Sequence, residues 1–160
     1  MEINIAAARG DLDFFITNWE SIDLNSEDED GASPPMCAIA KCRVELVQYI
    51  LTRSSNLDVN KQNKVNGDTL LMFSCELGHV KIVKSLLNHS RINVNLKDHV
   101  GHNALSLAIH NGHKEVVYLL LEREDLETEP RNIKGRLQKN NYLFVTNVMG
   151  LIFALLRKCF

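Results

Sequence analysis

Two stretches of this 160-residue chain repeat one another at an interval of 34 residues. The first runs Gly67-Asp68-Thr69-Leu70-Leu71-Met72-Phe73-Ser74-Cys75-Glu76-Leu77-Gly78-His79 and continues Val80-Lys81-Ile82-Val83-Lys84-Ser85-Leu86-Leu87. The second runs Gly101-His102-Asn103-Ala104-Leu105-Ser106-Leu107-Ala108-Ile109-His110-Asn111-Gly112-His113 and continues Lys114-Glu115-Val116-Val117-Tyr118-Leu119-Leu120-Leu121. Gly, Leu, Gly-His, Val and Leu-Leu fall in register. A fixed period of this size marks stacked supersecondary units, each too small to bury its own apolar face. The pattern therefore turns attention from a reaction to a partner.

Each copy predicts two short helices. The first spans about 70–77 and 104–111, stopped by Gly78 or Gly112, because glycine enters the left-handed conformation that ends a helix without a steric penalty. The second spans about 80–88 and 114–123. Val80, Val83, Leu86 and Leu87 form an apolar stripe at helical spacing, and the later copy repeats it. Polar, Asn-rich connections with turn chemistry separate the pairs.

The order Gly-x-Thr-x-Leu, a helix of small residues, Gly-His and then Val-x-x-Leu-Leu resembles the ankyrin repeat. Asp98-His99-Val100-Gly101 looks like that family's loop opening, and Val59-Asn60 and Val94-Asn95 resemble the Val-Asn before it. A less regular copy runs from Gly31-Ala32-Ser33-Pro34-Pro35 to Leu51, with Cys42-Arg43 in place of Gly-His. Ala6 to Leu12, with Phe15 and Trp19 following in a second helix, resembles an N-terminal capping copy. The resemblance implies an all-α fold, an ankyrin-type helix-turn-helix repeat solenoid with loop or β-hairpin fingers, in about four units including the cap. It covers residues 1–134. Thr69-Leu70-Leu71-Met72 and Asn103-Ala104-Leu105-Ser106 depart from the family's Thr-Pro-Leu-His. A Thr–His hydrogen bond between repeats is thereby lost, which predicts a marginally stable array.

Asn132-Ile133-Lys134-Gly135 looks like another loop opening, in step with Gly101, but the pattern then stops. Residues 135–160 read as a divergent basic and apolar tail, and the break suggests a variant or truncated product of a longer protein. The apolar run 142–156 admits three readings: a helix covering the last repeat, a tail inserted in a membrane, or an aggregation-prone segment. Its 15 residues fall short of the ~20 that a bilayer-spanning helix requires.

Composition is that of a globular chain, 45% hydrophobic and 24% charged with a formal charge of −2, so nucleic-acid binding is not expected. The charge is unevenly placed: residues 1–35 carry nine acids and one base, and residues 131–160 six bases and no acid. Cys37, Cys42, Cys75 and Cys159 show no close-set pairing. Three of them fall in helical patterns and read as buried thiols of a reducing compartment. Met1-Glu2-Ile3-Asn4 carries neither a positive n-region nor a long apolar core, so cytoplasm, or nucleus, is the expected location.

Catalytic signatures are missing: no Gly-x-Ser-x-Gly elbow, no phosphate-cradling loop and no His-Glu-x-x-His. Cys75 reads as core. His99/His102 and His110/His113 have the spacing of paired metal ligands but lack two further donors, and His79 and His113 read as helix-end caps. No enzyme activity, metal or cofactor is expected. What the resemblance implies is a concave protein-binding surface made of finger tips and first helices. Its exposed positions would be Glu29, Asp30, Ala32, Val65, Asn66, Asp68, His99, Val100 and His102 on the fingers, with Arg9, Lys41, Glu76, Leu77, His110 and Asn111 on the helices. A basic or mixed-charge protein segment suits that surface, and its three histidines suggest pH-sensitive affinity. An adaptor or scaffold is the leading expectation. The alternatives are a regulatory fragment of a larger ankyrin-containing enzyme or channel, and a tail-anchored membrane adaptor. Ser26, followed by four acids, reads as a solvated loop or a modified docking tip.

Overall fold

A computed structural model describes residues 2–127. Its helices are α1 (Glu2–Arg9), α2 (Leu12–Asn18), α3 (Pro34–Ala40), α4 (Val44–Arg53), α5 (Leu70–Glu76), α6 (Val80–Leu87), α7 (Ala104–His110) and α8 (Lys114–Leu121), with a 3-10 turn at Trp19–Ser21 after α2. They form four consecutive pairs, as the repeat pattern predicts, and each predicted helix ends within two residues of its expected bound. Helices α1, α3, α5 and α7 stack in one row; α4, α6 and α8 stack in a second row behind it.

The core lies between the rows. Phe15, Ile39, Leu46, Ile50, Leu71, Met72, Ile82, Leu86, Leu105 and Leu120 are fully enclosed. Small residues let the first row pack closely, and Ala7, Ala38, Cys75 and Ala108 have no exposed surface. Each fully buried aliphatic side chain contributes about 1.5–3 kcal/mol. Trp19 falls just beyond α2 and not within it. There its ring meets Tyr49 edge-on at 5.3 Å, and the Arg53 guanidinium lies 5.9 Å from both rings.

Helix starts are capped despite the missing Thr-Pro-Leu-His. Thr69 accepts from the Met72 amide, Asn103 and Ser106 form a reciprocal capping box, and Pro34-Pro35 opens α3 with fixed φ. Helix ends are set by residues in the left-handed conformation. Gly78 has φ 71° and Gly112 φ 74°, and in both places the next amide returns to the helix, His79 to the Ser74 carbonyl and His113 to that of Ala108.

The fingers contain no strand among the described residues. Each is instead closed by backbone bonds across its base, Asp28 N to Ala32 O at 3.1 Å, Asn63 N to Asp68 O at 2.9 Å and Asp98 N to His102 O at 2.8 Å, and by a glycine amide returning to Asp28 O, Asn63 O or Asp98 O. Successive repeats are then bolted together by one residue type at a 35-residue interval. Asn25 donates to Asn56 O and accepts from Asp58 N. Asn60 does the same with Arg91 O and Asn93 N, and Asn95 with Asp125 O and Glu127 N, all at 2.7–2.9 Å. Residues 128–160, with the Gly135 break, the 142–156 run and Cys159, lie outside the described residues.

Candidate functional site

The finger row and the ends of the first-row helices make one candidate surface. Its fingers stack by close contact. Gly67 has φ 83°, and a Cβ there would lie 2.8 Å from the His99 amide nitrogen, which donates to Asn66 O at 2.9 Å. Gly31 is overlain in the same way by Val65. Both require glycine, for φ and for space.

Of the expected surface residues, Arg9, Glu29, Asp30, Lys41, Val65, Asn66, Glu76, Leu77, His99, Val100, His110 and Asn111 are exposed, and Ala32 is half-buried. Val100 at 73% and Val65 at 59% exposure are the most solvent-facing large apolar side chains among the described residues, one on each of two neighbouring tips. Neither side chain belongs to the buried core.

Two expected positions are corrected. Asp68 is only 5% exposed. Its carbonyl closes the second finger, and its carboxylate accepts from Asn66 Nδ2 at 2.5 Å. Burial raises its pKa. The Asn66 bond opposes the rise, while the nearby Glu76 and Asp98 carboxylates add to it and His99 opposes it. His102 is half-buried, with Nδ1 2.7 Å from Asp98 Oδ2 and its amide donating to Asp98 Oδ1 at 2.6 Å. Both residues build the fingers. The register placed them one or two residues beyond a tip, where the chain already turns inward.

The first finger is built likewise. Asp28 accepts from the Asp30 and Ala32 amides and from Asn4 Nδ2. These bonds, the Ala32 amide foremost, hold its pKa low despite burial. Glu27 is largely buried against Lys61 at 2.9 Å. Burial alone would raise it, but the Lys61 ammonium, the Lys64 amide and both lysine charges together bring it below the usual value. Glu29 and Asp30 remain as the solvent-facing acids of that tip.

His79 and His113 do not cap their own helices. His113 reaches into the preceding repeat, where Nε2 donates to Glu76 O at 2.9 Å, the end of α5. Arg43 Nε makes the equivalent bond to Ala8 O at 2.8 Å. His79 makes none, and its Nε2 is buried without a hydrogen-bond partner. Cys42 accounts for the gap. It occupies the turn position held by Gly10 and Gly78, at φ 53°, and is the one non-glycine with positive φ among the described residues. A Cβ built on Gly78 would sit 2.4 Å from the His113 ring, and Cys42 carries that atom. Cys42 is exposed on this turn, so it is not one of the buried thiols. Cys37 is half-buried and Cys75 buried, burial raising both thiol pKa values; all three are free.

Among the described residues no group of three or more His, Cys, Asp or Glu could hold a metal ion, and no helix is long and apolar enough to cross a membrane.

Stacked helix pairs joined by hydrogen-bonded fingers define a helical repeat scaffold. A family model for ankyrin repeats, in three copies, matches residues 36–131, and the chain belongs to that family. It is 28% identical over 124 residues to transient receptor potential cation channel subfamily A member 1 of Homo sapiens, covering 76% of this chain and 11% of the channel. It is 46% identical over 54 residues to short transient receptor potential channel 3 of Rattus norvegicus, covering 33% of this chain and 6% of that protein. The ankyrin repeat protein YahD of Escherichia coli (strain K12) is 33% identical over 105 residues, 62% of this chain and 51% of YahD. The chain thus spans a small fraction of the two channels and about half of YahD.

Proposed function

We propose that the chain is a non-catalytic protein-interaction module, an adaptor or scaffold that holds an extended segment of a partner along its fingers and first-row helix ends. Residues 1–134 form the binding array and 135–160 a separate tail, and the protein works in the cytoplasm or nucleus. The observation that carries the reading is the division of labour on the finger row. Asp28, Asp68, Asp98 and His102 are consumed in building the fingers, whereas Val65, Val100, Glu29, Asp30 and Glu76 face solvent on the same side. Exposed apolar tips beside exposed acids suit a segment that alternates apolar and cationic side chains.

The test is capture of partners by the whole chain beside two folded variants. Val65→Lys, Glu76→Lys and Val100→Lys together alter the proposed surface; Lys81→Glu and Tyr118→Ser together alter the second-row helices. A partner lost only with the first variant supports the reading. A partner lost only with the second moves the site to the other face. A second reading has its own support: the channels this chain resembles are far longer, so the array would serve as the regulatory part of a larger channel or enzyme. Sequencing the parent transcript decides it. A single reading frame closing at Phe160 in every transcript removes it.

A further inference from the structure

We infer that Ser26 is a phosphorylation site for an acid-directed serine kinase. In sequence it is followed by Glu27, Asp28, Glu29 and Asp30, so acids stand at each of the four positions a basic substrate cleft would read. Folding divides those acids. Glu27 is committed to Lys61 and Asp28 to two amides and Asn4, whereas Glu29 and Asp30 are exposed at the third and fourth positions. Ser26 is itself exposed, outside any helix, and its hydroxyl donates only to the Asp23 carbonyl at 2.8 Å, a bond that rotation about χ1 releases. The local contrast is Ser55, also exposed, which has a single acid at the third position, Asp58, already holding the Asn60 amide.

The reaction is phosphoryl transfer from ATP. The Ser26 oxygen attacks the γ-phosphorus, its proton passes to the kinase's base, and ADP leaves. The new dianion would stand on the residue whose preceding carbonyl, that of Asn25, accepts from the Lys61 ammonium. It would compete with Glu27 for Lys61 and deepen the negative charge of the first finger. This consequence rests on the cationic-partner reading above: phosphorylation would strengthen that partner's hold.

The experiment treats the folded whole chain with a casein-type acid-directed kinase and ATP and maps the phosphate by tandem mass spectrometry. The expected result is one phosphate at Ser26, its loss in Ser26→Ala, its retention on threonine in Ser26→Thr, and about tenfold slower transfer in Glu29→Gln, the loss of one charge-assisted contact. Phosphate on Ser55 or elsewhere with Ser26 untouched, or transfer to Ser26 only after heat unfolding, overturns the inference. A synthetic peptide alternating lysine and leucine then probes the consequence, with affinity rising about fivefold at low salt and less at high salt. Phosphate at Ser26 with unchanged peptide affinity upholds the site and removes the cationic-partner reading alone.

Discussion

Replacing Cys42 by glycine should stabilise this protein, and the size of the gain shows why. An L-residue in the left-handed conformation costs about 1–2 kcal/mol relative to glycine. Glycine returns about 0.4–1 kcal/mol of that through the freedom of the unfolded chain, so strain relief alone leaves a gain of under about 1.5 kcal/mol. The Cys42 side chain is exposed, so little packing is lost. Removing the Cβ also opens the space that the His113 ring occupies over Gly78 one repeat later, and His79 can then reach the Ala40 carbonyl as His113 reaches Glu76. Satisfying a buried nitrogen adds about 1–3 kcal/mol. The total for Cys42→Gly is about 1–4 kcal/mol, read as a higher urea midpoint at unchanged m value. A double-mutant cycle separates the two parts: in a His79→Ala background the gain should fall to the strain component. A neutral or destabilising Cys42→Gly, or a gain that His79→Ala leaves unchanged, refutes the link between the turn and the orphaned ring.

Three further outcomes follow from the same geometry. Asn60→Ala removes the two bonds Asn60 makes to Arg91 O and the Asn93 amide in the next repeat and should cost about 1–2 kcal/mol, with hydrogen exchange rising first near residues 91–94. Asp28→Asn and Asp68→Asn should respond to pH with opposite signs. The low folded-state pKa of Asp28 contributes stability above the ordinary carboxylate range that is lost as pH falls through the folded value. Asp28→Asn should therefore lower the neutral-pH urea midpoint and lose its effect in acid. Burial raises Asp68, so its native state binds the proton more tightly and stability declines as pH rises from the ordinary value through the folded one. Asp68→Asn should raise the midpoint at neutral pH and converge on the native protein in acid.

The helices were legible because their signal is redundant. Glycine stops, a small-residue face and an apolar stripe at helical spacing each mark the same bounds in two copies. The fingers were less so. Asp68 and His102 look like surface residues in a polar loop, and nothing in their local pattern says that one closes a turn and the other grips Asp98. The Asn25, Asn60 and Asn95 bridges did carry a sequence signal, a fixed 35-residue interval, with Asn60 and Asn95 standing in recognised Val-Asn pairs. Their role depends on carbonyls a whole repeat away, which spacing alone does not reveal. The Cys42 departure from Gly-His was visible in the sequence, but its effect falls on a ring in the next repeat.

The most direct test of the central claim is hydrogen–deuterium exchange of the whole chain, free and bound to a captured partner. The account predicts slowed exchange at the finger tips, residues 28–32, 63–68 and 98–103, and at the ends of α5 and α7. Protection confined to α6 and α8 would contradict it.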